Sequence, residues 1–279
     1  MSDMSHAATA KASLPSPLFQ MNKGTGPGAL VPFPDFGGNT IYARPVVAAL
    51  GTSVSSYAMR LSEAMVAALE TSMMEDLARR FAADLVAANL PRPPHLMGFS
   101  FAGCLAYETA RHLSQSGAAP GMLWIPDLTR RRPFGPAEFL RRPVRHLAGL
   151  ARYAKRNWRR LPLRPRDPNI LEAYGVLRID MSAHPKSYRP IPCGMYGAFL
   201  NFRAKPASAP MTVVCAADTA NKPGAVEGLG WRDLATGPFR TVTVPGGHLI
   251  MRQPPQNARV IADRVRTRRQ QQTANLTDV

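Results

Sequence analysis

Cysteine is scarce in this sequence, acidic residues are outnumbered and long apolar runs are missing, and each shortage closes off a class of protein. The three cysteines, Cys104, Cys193 and Cys215, are odd in number and far apart, a spacing that suits neither a disulfide framework nor a zinc cluster. No stretch approaches the roughly 18 consecutive apolar residues of a membrane-spanning helix. The opening residues, MSDMSHAATAKASLPSPL, are small and polar, without the basic flank and apolar centre of a secretory signal. Residues 1–18 are expected to be a disordered tail, a reducing cytoplasm the location, and a metal site absent.

Against 18 Asp and Glu stand 35 Lys and Arg, a formal charge of +17. Such an excess attracts something acidic, whether nucleic acid, an anionic membrane surface or an acidic protein. The plainer alternative is a set of arginines that only solvate a surface. Most of the charge lies in TRRRPFGPAEFLRRPVRHLAGLARYAKRNWRRLPLRPR, residues 129–166, with a smaller block at Arg264–Arg269.

The 279 residues are 45% hydrophobic, enough for one substantial core. Apolar runs bounded by turn residues alternate with helical patterns, which predicts an α/β fold with a mostly parallel central sheet flanked by helices. The expected strands are Leu30–Phe33, Val54–Met59, His95–Phe99, Met122–Ile125, Met211–Ala216 and Arg240–Val244. A helix is expected over Ser72–Asn89, opened by a Ser72-x-x-Glu75 capping box, with Met73, Leu77, Phe81 and Leu85 on its apolar face. Further helices are expected over Gly103–Ser116 and Gln256–Arg266. The basic block interrupts the alternation: Leu140, Val144, Leu147, Ala151, Ala154 and Trp158 recur at helical spacing, with Arg141, Arg145, Arg152, Arg156 and Arg159 opposite. These residues predict a helical lid within an insertion spanning 129–205, inside one domain of residues 19–267 followed by a polar tail, 268–279.

Three constellations carry chemistry. His95-Leu-Met-Gly-Phe-Ser-Phe-Ala-Gly-Cys104 runs from a strand through small residues into a helix, the context of a nucleophile elbow with Ser100 at its tip. Serine at a strand-to-helix junction is otherwise only a cap. His248, in Pro245-Gly-Gly-His248, follows the last strand, where a general base belongs in the chain order nucleophile, acid, base. His95, His112 and His146 lie within or beside regular elements and are expected to be structural, while His184 has no assigned role. Phe33-Pro-Asp-Phe-Gly-Gly-Asn39 ends the first strand in a turn that can donate a backbone N–H to an oxyanion, with Phe36 and Phe101 as the candidate donors. Alone, a glycine pair is an ordinary turn.

Together these pieces resemble the thioesterases of non-ribosomal peptide and polyketide synthetases, members of the α/β-hydrolase superfamily, from about Leu18 to about Ala262. The resemblance is carried by GGNTIYARPVVAAL at 37–50, GFSFAGCLAYETA at 98–110, and Gly230-Trp231 ahead of PGGH at 245–248. Two positions depart from the family pattern. Pro34-Asp35-Phe36 stands where His-Pro-Ala is usual, bringing a carboxylate near the oxyanion site, and Ala102 stands in place of glycine. The resemblance implies an α/β-hydrolase fold and release, by hydrolysis or cyclisation, of an acyl or peptidyl chain from the phosphopantetheine arm of a carrier protein. For the triad acid it offers Asp127, where synthetase-integrated thioesterases keep their aspartate, and Asp218, where discrete editing enzymes keep theirs. It implies no cofactor beyond the partner's phosphopantetheine. Carriers in such pathways are acidic, so Arg141, Arg145, Arg152, Arg156 and Arg159 are candidate carrier-binding residues and nucleic acid is not the expected partner. With no carrier segment attached, a free-standing enzyme is expected. The alternatives are a small-molecule ester or lipid hydrolase and a decayed hydrolase scaffold that binds a carrier protein or nucleic acid.

Overall fold

The computed structural model describes residues 18–69, 72–130, 147, 151, 185, 187–248 and 255–277. Chain order runs β1 Leu18–Asn22, β2 Ala29–Pro32, a 3-10 turn Ile41–Ala43, α1 Arg44–Leu50, β3 Ser55–Met59, α2 Glu63–Ala68 and α3 Met74–Ala87. It continues with β4 Pro94–Met97, α4 Ala102–Gln115, β5 Met122–Pro126, α5 Pro190–Asn201, β6 Met211–Ala216, the single turn α6 Ala217–Ala220, β7 Phe239–Val244 and α7 Pro255–Thr277.

Among the described residues the strands form one sheet in the order β1-β3-β2-β4-β5-β6-β7. Only β1 runs antiparallel, pairing Leu18 with Met59 and Gln20 with Tyr57; every other neighbour is parallel. Parallel strands covered on both faces need apolar residues at every position, and MLWIP of β5 and MTVVCA of β6 are buried throughout. The edge strand β7, FRTVTV, leaves Arg240, Thr241 and Thr243 exposed. All six expected strands are present, Met211–Ala216 with the same bounds and the others with ends shifted by at most two residues. The strand β1 was not legible, because LFQMN is short and half exposed at a sheet edge; it begins at the last residue assigned to the tail.

The helix α3 buries Met74, Leu77, Ala78, Phe81, Ala82 and Leu85. Its start corrects the expected cap. Ser72 Oγ donates back to the Ala68 carbonyl at 2.8 Å, Met73 is the cap residue, and Asp76 Oδ2 accepts the Met73 N–H at 3.2 Å. The box is therefore displaced by one position, and Met74 takes the core place expected of Met73. Phe81 meets Phe33 edge-on at 5.6 Å, tying this helix to the end of β2. The closing helix, expected to end at Arg266, runs on to Thr277. Most of the insertion, including Arg141, Arg145, Arg152, Arg156 and Arg159, lies outside the described residues, as do His146 and His184. Leu147 and Ala151 are helical and exposed. The insertion returns as α5, whose Pro192–Ala198 stretch is buried.

Between β2 and β4 the chain leaves to one side of β2, builds β3, and comes back on the other side. That reversal opens a crevice at the carboxyl ends of the strands. The register Pro32 opposite Met97 places the turns after β2 and β4 side by side, and the Phe33 N–H to Met97 carbonyl bond at 2.9 Å extends the pairing one residue further.

Candidate active site

Every candidate residue that the structure describes follows the carboxyl end of a parallel strand. Ser100 stands at the tip of the turn between β4 and α4, with φ +50°, a left-handed backbone that only a tightly held non-glycine residue adopts. The turn closes because its small residues let backbone pass. A Cβ on Gly98 would fall 2.2 Å from the Ala102 carbonyl oxygen, and one on Gly103 would fall 2.8 Å from that of Gly98. The close approach thus falls on Gly98 and Gly103, which explains why Ala102 can carry a methyl group and still be fully buried.

Asp127 follows β5, also at positive φ, +46°, and its side chain is fully enclosed. Its Oδ1 accepts the Ala216 N–H at 2.9 Å. Its Oδ2 accepts the Thr219 hydroxyl at 3.0 Å and lies 2.8 Å from His248 Nδ1. Burial by itself would raise this carboxyl, but the bonds from His248, Ala216 and Thr219 outweigh it and hold the group below the ordinary carboxylate value. An ionised carboxylate only accepts, so His248 Nδ1 carries the proton and Nε2 presents its lone pair. That nitrogen is 3.0 Å from Ser100 Oγ. The imidazole stacks on the Phe99 ring at 5.2 Å and 29°, and 53% of its side-chain surface remains exposed. Such a chain of bonds can draw the serine proton toward the imidazole.

Of the two carboxylates considered from sequence, Asp127 is the one the structure brings to His248. Asp218 is exposed in the first turn of α6. Its N–H donates to Gly246 and its Oδ2 lies 3.0 Å from where a Cβ of residue 247 would stand; among the described residues no hydrogen bond joins it to the imidazole.

The turn after β2 faces the serine turn across the crevice. Asp35 N–H donates to the Asn39 carbonyl and Gly38 N–H to that of Asp35, both at 2.8 Å. Asp35 Oδ1 accepts the Gly37 N–H at 2.9 Å and the Asn39 N–H at 3.2 Å. The carboxylate that replaces the expected apolar residue is thereby folded onto the turn's own donors. In Asp35–Asn39 the Phe36 N–H alone has no acceptor among the described residues. The Phe101 N–H is likewise open, since the flanking Ser100 and Ala102 N–H groups donate to Pro126 and Phe99.

Several contributors had no signal of their own in the sequence. Thr219 and the Ala216 N–H hold the Asp127 carboxylate from the next strand. Buried Tyr42 donates to the Phe33 carbonyl at 2.7 Å and reaches that of Met97 at 3.2 Å, locking the ends of β2 and β4 together; burial pushes its phenol well above the usual range. The Gly230-Trp231 pair is structural: Trp231, buried, donates its indole N–H to the Leu128 carbonyl at 2.6 Å and packs on Tyr107 at 4.9 Å, steadying the chain just past Asp127. His95 is buried in β4 and His112 lies beside Glu108 on α4, both away from this site.

A mostly parallel sheet with a serine, a carboxylate and a histidine following the carboxyl ends of β4, β5 and β7 defines an α/β hydrolase. The family model for the thioesterase domain matches residues 29–267, and the chain belongs to that family, whose members are hydrolases. Among solved structures, the type II thioesterase BorB from the borrelidin biosynthetic cluster is 20% identical with a TM-score of 0.60, over 90% of this chain and 97% of that one. The RedJ thioesterase from the prodiginine pathway of Streptomyces coelicolor is 23% identical with a TM-score of 0.56, over 86% and 89%. Holo-AB3403, a four-domain nonribosomal peptide synthetase, is 23% identical with a TM-score of 0.61, over 92% of this chain. The chain spans only 20% of that synthetase. At these identities the likeness is one of fold. No curated protein matches the chain by sequence. No helix among the described residues is long and apolar enough to cross a membrane.

Proposed function

We propose that this chain is a serine thioesterase that releases acyl or peptidyl groups from the phosphopantetheine thiol of a carrier protein in non-ribosomal peptide or polyketide biosynthesis. The observation that carries the reading is the unbroken path from Ser100 Oγ to His248 Nε2 at 3.0 Å and from His248 Nδ1 to Asp127 Oδ2 at 2.8 Å. In this reading the Ser100 proton passes to His248 as Oγ attacks the thioester carbonyl. The C–S bond then breaks, and the departing thiol takes the proton from the imidazolium. Water, deprotonated by His248, attacks the acyl-serine and frees the acid; an internal nucleophile in its place gives a cyclic product. The Phe36 and Phe101 N–H groups receive the oxyanion at each step, and Asp127 holds the tautomer.

A carrier substrate is favoured by the structural neighbours, two biosynthetic thioesterases and a peptide synthetase, and by the charge of +17, which suits an acidic partner. Arg141, Arg145, Arg152, Arg156 and Arg159 are the residues proposed to face it. The chemistry calls on no metal or organic cofactor of the protein's own, and the cytoplasm, where such carriers work, is the proposed location. The test compares an acylated carrier with a short free thioester of the same acyl group. The reading expects a higher kcat/KM on the carrier and loss of both activities in Ser100→Ala. Equal kcat/KM on the two substrates would make the protein a small-molecule hydrolase, and an active Ser100→Ala would remove the serine mechanism.

A further inference from the structure

We infer that Tyr188 and Asp35 are positioning residues for the oxyanion site, coupling the returning arm of the insertion to the aim of the Phe36 N–H. The inference rests on the reading of Ser100 as nucleophile and goes beyond it, since neither side chain touches the reacting atoms.

The Asp35–Asn39 turn has no regular structure to stiffen it, so its aim depends on what pins it. Asp35 pins it from inside through the two N–H bonds to its Oδ1. Tyr188 pins it from outside. Its hydroxyl donates to the Gly37 carbonyl at 3.1 Å across 151 residues of sequence and lies so close that a Cβ on Gly37 would stand 2.6 Å from it. Next to it, Ile191 Cγ2 would be 2.9 Å from a Cβ on Gly38, which sits at φ +78°. Glycine at both positions lets the arm lie directly on the turn's backbone. The arm itself is anchored: Tyr188 N–H donates to Pro185 and its carbonyl accepts the Ile191 N–H at 3.2 Å. Behind it, Gly194 of α5 lies against Leu69 at the end of α2. Burial and the neighbouring Asp35 charge raise the Tyr188 phenol above its ordinary value, so it stays a donor at working pH.

A turn held at two points, with four of its N–H groups occupied internally, leaves the fifth in a fixed direction. Loss of either pin lets Phe36 swing. Oxyanion donors act only when aimed at the position of the developing charge, where one is worth about 10²–10³ in kcat. A donor misaimed rather than deleted forfeits part of that, about tenfold here. Ground-state binding of the acyl chain does not use this N–H, so KM stays near the parental value.

The experiment measures kcat and KM on a short free thioester, the inhibition constant of phenylboronic acid, fluorophosphonate labelling of Ser100, and Tm, in parent, Tyr188→Phe, Asp35→Ala and Asp35→Asn. Phenylboronic acid forms a reversible bond from boron to Ser100 Oγ and sets a boronate oxygen in the oxyanion position. Tyr188→Phe and Asp35→Ala are expected to lower kcat about tenfold at constant KM and to weaken the boronate by a similar factor. Asp35→Asn, which keeps an acceptor oxygen, recovers most of the rate that Asp35→Ala loses. Parental kcat and boronate affinity in both Tyr188→Phe and Asp35→Ala would overturn the inference. So would losses confined to KM, or losses that follow Tm alone. If Tyr188→Phe fails to fold, the contrast between Asp35→Ala and Asp35→Asn decides. Failure of the parent to label at Ser100 would overturn the serine reading and this inference together, whereas a labelled parent with unaffected variants overturns only this inference.

Discussion

Replacing Asp127 by Asn changes one atom and inverts the logic of the site. The amide oxygen can keep the Ala216 N–H bond now made by Oδ1 at 2.9 Å, which turns the amide nitrogen toward His248 Nδ1, 2.8 Å away. That nitrogen is a donor, so Nδ1 must become an acceptor and the ring proton moves to Nε2, the atom that should receive the serine proton at 3.0 Å. Loss of the correct tautomer in a triad of this kind lowers kcat about 10⁴-fold, or roughly 5.4 kcal/mol of transition-state stabilisation at 1.36 kcal/mol per decade. Asp218→Asn, at an exposed position with no bond to the imidazole, should change kcat by less than about threefold, as ordinary surface substitutions do. The assay is release of free thiol from a short thioester, with circular dichroism to verify folding. A larger loss in Asp218→Asn than in Asp127→Asn would refute the reasoning and make Asp218 the acid.

Three further outcomes are expected, two from the geometry around Asp127 and one from the basic composition of residues 129–166. Because the Asp127 carboxyl is held below its ordinary value of 3.8, its ionisation stabilises the fold at pH above that value, and the contribution is lost as pH falls through the lower folded value. The urea midpoint of the parent should therefore drop more steeply below about pH 4 than that of Asp127→Asn. Cys215, buried beside Asp127, has its thiol pushed up to about 11, by burial first and the aspartate second; with Cys104 and Cys193 also buried, iodoacetamide at pH 8 should leave the native enzyme active and unmodified. Replacing Arg141, Arg145 and Arg152 with Gln should lower kcat/KM on the acyl carrier, more at low salt than at about 0.15 M where charges are screened beyond roughly 8 Å, and spare a short free thioester; equal losses on both would mean that these arginines shape the pocket or the fold.

The sequence made the strand order of chemistry legible because elbow and acid each follow a fully buried strand, β4 and β5, and the base loop follows the β-branched edge strand β7. It left Asp127 and Asp218 undecided for a physical reason: each follows a buried strand, and only the turn direction distinguishes them. Asp127, at positive φ, turns its buried carboxylate to His248, while the single turn of α6 leaves Asp218 at the surface. Asp35 read as an opposing charge because a one-dimensional pattern does not show that its Oδ1 bonds back to residues two and four positions on. Tyr188 was invisible because its partner, Gly37, lies 151 positions away. The edge strand β1 is too short and half exposed to show a pattern, and the cap of α3 moved by one residue because Ser72 Oγ donates back to the Ala68 carbonyl while Asp76 takes the Met73 N–H.

The central claim is that the acyl group passes through Ser100. Its most direct test is intact-protein mass spectrometry of the parent quenched in acid within the first turnovers on a slowly hydrolysed acyl thioester, followed by peptide mapping. An acyl adduct located on Ser100, absent from Ser100→Ala and persistent in His248→Ala only at a greatly reduced rate of formation, is the expected result. Steady turnover with no adduct at Ser100, or turnover by Ser100→Ala at the parental rate, would contradict it.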